Sequence, residues 1–257
     1  MASRQVGFGV PGGLSSDRSC HKLLMLVIPV LLALAGGFLA IAPLACAVET
    51  AKNDAAKKPD PSQPKVKIKV DTSEVPDMAP WAAHAKKLCE ENYPMICREL
   101  GSNGYKPPTK VKIVFKDSQG IAYTSGTTIT CCKGWFKDHP DDYGAVIHEM
   151  AHVVQSYWGK PVPGWLTEGI ADYVRWFVYE PADHRPHVNP RRAKYTDGYQ
   201  TTAAFLDWIV RTKDKTFVKR LNAACREGRY KPELFKDYAG KPLDDLWKEF
   251  IASRKAK

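Results

Sequence analysis

Several features are missing from this chain. It has no C-x-x-C pair, no internal repeat, no aromatic RNA-binding signature and no recognition-helix pattern. Without C-x-x-C spacing, its 7 cysteines read as structural residues rather than a thiolate zinc site. Without repeats, a solenoid or propeller is excluded. Acidic residues are also in deficit: 28 Asp and Glu face 38 Lys and Arg, for a net charge of +10 and a pI near 9.2. The basic residues are scattered. Lys65, Lys67 and Lys69 alternate along one strand-like segment, and Lys213, Lys215, Lys219 and Arg220 fall in a late helical region. A nucleic-acid partner is therefore not expected. A solvated basic surface is the plainer reading, and an anionic cell-wall, envelope or membrane surface is compatible with it. The rest is ordinary for a globular protein: 257 residues, 44% hydrophobic and 26% charged, enough for one domain with a sizeable core.

The N-terminal segment reads as an export signal. Arg18, His21 and Lys22 precede an apolar run from Leu23 to Leu44 that ends in Ala45-Cys46-Ala47, an A-x-A cleavage pattern. Cleavage after Ala47 leaves a chain starting at Val48. The run is also long enough to span a bilayer as an uncleaved anchor, which would leave the protein membrane-attached. Cys46 suggests a lipoprotein site, but Pro43 and Leu44 fit a lipobox poorly. Residues 48–64 are polar and proline-containing, a linker, and residues 65–257 make the domain. Beyond the leader stand five cysteines: Cys89, Cys97, Cys131, Cys132 and Cys225. Export permits disulfides, and the odd number leaves at least one thiol unpaired within the chain. Cys89 and Cys97, eight apart in a helical region, are candidates to bridge across a bend. Cys131 and Cys132 point to opposite sides if their segment is a strand.

Hydrophobic periodicity orders the domain. Val66–Val70 alternates and reads as a half-exposed strand. Pro76 to Leu100 reads as helix, with Trp81, Ala85, Leu88, Tyr93 and Ile96 as core positions and Pro94 as a kink. Val111–Phe115 is a second strand, and Ile121–Cys132 contains a third or fourth. Helices are expected over Asp141–Tyr157 with Asp141 or Asp142 as N-cap, then over Trp165–Tyr179, Asp197–Arg211, Thr216–Arg226 and Pro242 or Leu243 to Ser253. Strands early and helices late argue an α+β fold.

The chemistry is concentrated in His148-Glu149-Met150-Ala151-His152, an H-E-x-x-H segment inside a predicted helix. Histidines four apart lie one turn from each other on one face, so both imidazoles can share a Zn²⁺. Glu149 points to the neighbouring side, where it can take a proton from water as the water attacks a carbonyl. The flanks Ala145, Val146, Ile147, Val153 and Val154 are apolar, and a buried helix holds such polar groups only with a partner. A catalytic zinc takes three protein ligands. Glu168, sixteen residues past His152 in the apolar stretch Trp165–Val174, is the candidate third, with Asp172 one turn further as acceptor for a histidine N–H. Asp172 as the ligand in place of Glu168 is the weaker alternative.

The run Pro163-Gly164-Trp165-Leu166-Thr167-Glu168-Gly169-Ile170-Ala171-Asp172-Tyr173-Val174-Arg175, following H-E-M-A-H-V-V-Q, closely resembles the basic secretory protein family, secreted zinc peptidases of plants and bacteria. Asp197-Gly198-Tyr199 and Thr202–Asp207 resemble that family's next helix, so the likeness covers about residues 65 to 255. It implies a gluzincin-like fold: a small mixed sheet packed on the motif helix, then a helical subdomain supplying the third ligand. It implies a zinc metallopeptidase acting on a peptide or protein substrate, with Tyr199 as candidate oxyanion stabiliser and Tyr195 as its rival. A secreted basic binding protein with a non-catalytic zinc on the same scaffold is the alternative. Cys131 and Cys132 depart from the family pattern. His139, and His184 and His187 in the loop Pro181–Pro190, carry no assigned chemistry, nor does His84.

Overall fold

The computed structural model describes residues 63–255. The leader expected over 1–47, and the linker up to residue 62, lie outside the described residues. No helix among the described residues is long and apolar enough to cross a membrane.

Strand β1 (Lys67–Asp71) pairs in parallel with β2 (Lys110–Lys116). Parallel neighbours need a crossover of a dozen or more residues. A 3₁₀ turn at Pro76–Met78 and helix α1 (Ala79–Leu100) supply it. On its other side β2 pairs in parallel with β4 (Thr128–Cys132), and β3 (Ala122–Ser125) closes the sheet antiparallel to β4. The order β1-β2-β4-β3 makes a mixed sheet. The β3–β4 hairpin turns on Gly126-Thr127, where Gly126 has φ 63°, as a type II′ turn requires at its first central position. That turn sets the register and places Thr124 opposite Ile129.

Helix α1 buries Ala82, Ala85, Cys89, Tyr93, Ile96, Cys97 and Leu100. Trp81 and Leu88, expected inside, are only half-buried because they flank that stripe. The helix runs through Pro94 without a break. Cys89 and Cys97 are therefore about 12 Å apart along the axis at about 1.5 Å per residue, beyond disulfide reach. The expected bridge does not form, and all five cysteines are buried free thiols. Burial pushes the Cys89 and Cys225 thiols up to about 12, which leaves them unreactive. Cys131 joins the core, whereas the Cys132 thiol accepts from Ser118 Oγ and donates to the Gln119 carbonyl, both at 3.3 Å.

A short helix α2 (Lys133–Asp138) precedes α3 (Gly144–Gln155), which is shorter at both ends than periodicity predicted. Its N-cap is Tyr143 rather than the expected Asp141 or Asp142, but Asp142 ties down the helix start from one residue further out. Its Oδ1 accepts the Ala145 N–H at 3.2 Å and Arg175 Nη2 at 2.5 Å, and its Oδ2 accepts the Trp135 indole at 2.9 Å. Ser156, in the left-handed region at φ 55°, ends the helix. Helix α4 (Gly164–Tyr173) continues into a π-helical stretch, Val174–Tyr179. The remaining helices are α5 (Tyr199–Thr212), α6 (Phe217–Arg226), α7 (Leu234–Ala239) and α8 (Leu243–Lys255). Periodicity did not reveal α2 or α7, which at 6 residues each are too short to show it. Phe205, Phe217, Phe235, Trp247 and Phe250 pack as one aromatic cluster in this helical layer. The fold is α+β, as the order of elements predicted.

Candidate metal centre

Helix α3 is buried at every residue except His152. His148 and His152 stand one turn apart on it, and Glu168 reaches them from α4. His148 Nε2 lies 3.0 Å from His152 Nε2, and Glu168 Oε2 lies 3.2 Å and 3.3 Å from the two nitrogens. A tetrahedral zinc with ligand bonds of about 2.0–2.1 Å sets its ligand atoms about 3.3–3.4 Å apart. The spacing observed is close to that edge length. His148, His152 and Glu168 are the one group of side chains among the described residues arranged to hold a metal ion.

Partners behind the rings set their tautomers. Asp172 Oδ1 accepts the His148 Nδ1–H at 2.7 Å. His152 Nδ1 lies 2.6 Å from Gln155 Oε1, and Gln155 Nε2 donates to the Thr167 carbonyl at 2.8 Å. A carbonyl can only accept, so the Gln155 NH₂ must face Thr167 and its oxygen must face His152. His152 Nδ1 therefore carries hydrogen. Both Nε2 atoms are left as the lone-pair side, turned toward each other and toward a carboxylate. Two lone pairs at 3.0 Å need a cation between them, a proton or a metal. The residues fit zinc.

The charges agree. Burial opposes protonation of His148, but Asp172 and Glu168 outweigh it and raise the imidazole to about 10. Burial likewise opposes charge on His152, and the hydrogen bond it donates to Glu168 shifts it upward all the same. Burial would raise Glu168, yet the two imidazoles hold it well below the usual carboxylate range. Each shift arises because the other groups stand beside it.

Glu149 is buried and its charge is felt by His148, His152 and Tyr199. Thr124 Oγ1 lies 2.7 Å from its Oε2 and 3.0 Å from its backbone carbonyl. The Tyr199 ring lies nearly parallel to His148, at 15° and 6.3 Å between centroids. Burial, then the nearby carboxylates, push its hydroxyl up to about 12, so it stays a donor at neutral pH. Its backbone has φ 43°, a conformation that costs a non-glycine residue energy. Tyr195 instead packs between Trp165 and Trp247. Asp172 stands behind His148, outside the ligand group. His84, His139, His184 and His187 are exposed and outside it as well.

The sequence reading missed Gln155, Thr124 and Arg226. Gln155 follows His152 by three residues, one helical turn, which was a readable signal. Thr124 carried none, because it meets Glu149 only through sheet packing. Arg226 collects the last carbonyls of two helices: Leu100 from α1 at 2.7 Å, and Val154 and Gln155 from α3 at 3.1 Å each. It thereby anchors the end of α3 that carries His152 and Gln155.

Fold and site together define an α+β protein with a candidate His–His–Glu metal centre spanning two helices. Residues 80–250 match the family model described as peptidase of plants and bacteria. The chain belongs to this family, the basic secretory proteins that its motifs resemble. No curated protein and no solved structure matches it.

Proposed function

We propose that this protein is a zinc-dependent metallopeptidase of the gluzincin type, in which His148, His152 and Glu168 hold the metal. The convergence of both Nε2 lone pairs on the Glu168 carboxylate, all within 3.3 Å, carries the reading. Three protein donors is the number a catalytic zinc takes, whereas structural zinc sites take four. When bound, zinc supplies Lewis-acid chemistry, polarising a carbonyl and acidifying water. Glu149 is the general base that accepts the water proton and later passes it to the leaving amine. Asp172 and Gln155 hold the two imidazoles in their ligand tautomers. Tyr199 donates to the oxyanion. The substrate is a peptide or protein. We also propose export, from the leader with its A-x-A site, and the basic surface suits an anionic wall or envelope.

Glu149→Gln keeps the shape and removes the base. Zinc content should stay at one per chain while turnover of an unfolded protein substrate falls about 10²–10⁴-fold. Retained turnover would refute the assigned base. A purified wild-type protein that takes up no zinc would refute the centre.

A further inference from the structure

We propose that Thr124 is a positioning residue that gives the two carboxylate oxygens of Glu149 different tasks. The proposal rests on the peptidase reading. Thr124 sits on β3, whose alternation turns Tyr123 and Ser125 to solvent and Ala122 and Thr124 toward α3. Its hydroxyl has one proton and two acceptors in range, Glu149 Oε2 at 2.7 Å and the Glu149 carbonyl at 3.0 Å. While Glu149 is ionised the proton belongs to Oε2, because a bond to a charged acceptor is about twice as strong as one to a neutral carbonyl. Oε2 is then occupied and the side chain is held in one rotamer. Oε1 is left to do the proton transfer: a water O–H breaks and Oε1–H forms as the water oxygen bonds to the carbonyl carbon. When the C–N bond breaks, that proton passes from Oε1 to the nitrogen. The edge strand thus aligns the base across the sheet–helix boundary.

Three variants test this in the full zinc-loaded protein. Thr124→Val keeps the branched shape and removes the hydroxyl. It should lower kcat by about ten- to a hundredfold, with KM, zinc affinity and Tm near wild type. Thr124→Ser should restore kcat. In a Glu149→Gln background, Thr124→Val should cost little more. Infrared difference spectra, assigned with Glu149→Gln, read the contact without turnover: Thr124→Val should shift the Glu149 carboxylate bands and Thr124→Ser should not. Unchanged bands in Thr124→Val would overturn the contact. Shifted bands with unchanged kcat would overturn its role in catalysis. Shifted bands in Thr124→Val, together with a zinc-loaded wild type that cleaves nothing, would leave the contact standing and refute the peptidase reading instead.

Discussion

Helices α3 and α4 each place polar and ionisable groups where they are buried or half-buried, and they do so differently. On α3, His152 is tied to a neutral amide on its own helix, Gln155, three residues away. On the same helix His148 is tied across the interface to a charged group of α4, Asp172, at 2.7 Å. Helix α3 is closed on nearly every side, so each of its polar side chains has been given a partner from another element: Thr124 from β3, Glu168 and Asp172 from α4. Helix α4 faces the other way. It offers its carboxylates to α3 and on another face meets α5 at Gly169, where an added Cβ would stand 2.2 Å from the Thr202 methyl. One helix is the receiver and the other the supplier, and neither set of charges is stable in isolation.

The comparison can be broken at the metal ligands, where the effect should be largest. His152→Ala or Glu168→Ala each removes one of three donors and should weaken zinc binding on the order of a thousandfold. Competition with a chromophoric chelator measures it. If Asp172→Ala instead does the greater damage, the ligand assignment is wrong. Behind the ligands, Asp172→Ala and Gln155→Ala should each weaken zinc by about 10–100-fold. The charged contact to His148 should cost more than the neutral one to His152, and equal losses would erase the contrast between the helices. The pH dependence of binding is the next smaller effect. His148 in the metal-free protein is raised to about 10, so at neutral pH it is protonated, and zinc must displace that proton. Affinity should therefore rise with pH by about tenfold per unit for one proton, and level off above pH 10. A flat profile between pH 7 and 9 would contradict the charge state. The smallest effect is expected at the α4–α5 contact. Gly169→Ala must push Thr202 away and should cost about 1–3 kcal/mol in urea unfolding. No loss would show that α5 adapts freely to α4.

The parts of the site that were legible lie within single helices. His148 and His152 lie one turn apart, as do Glu168 and Asp172, and helical periodicity alone puts each pair on one face with Glu149 on the side next to the histidines. Gln155 obeyed the same rule and was overlooked. Thr124 and Arg226 were not legible at all, since Thr124 lies 25 residues from Glu149 and Arg226 lies 71 and 72 residues from the Gln155 and Val154 carbonyls it holds. The cysteines show the opposite failure: spacing suggested a bridge that an unbroken α1 forbids. The short helices α2 and α7 were missed because 6 residues give periodicity too little length to register.

By itself the sequence determined the α+β order of elements, the apolar faces, and which residues could hold a metal ion, because local periodicity and side-chain type are properties of the chain. Only the tertiary structure decided that Glu168 meets two Nε2 atoms at 3.2 and 3.3 Å, that Asp172 stands behind His148, and that the Tyr199 ring lies parallel to His148 while Tyr195 packs between Trp165 and Trp247. Those contacts join groups far apart in the chain. Their energies come from burial and opposite charge at close range, and neither exists until α3, α4 and β3 have packed together.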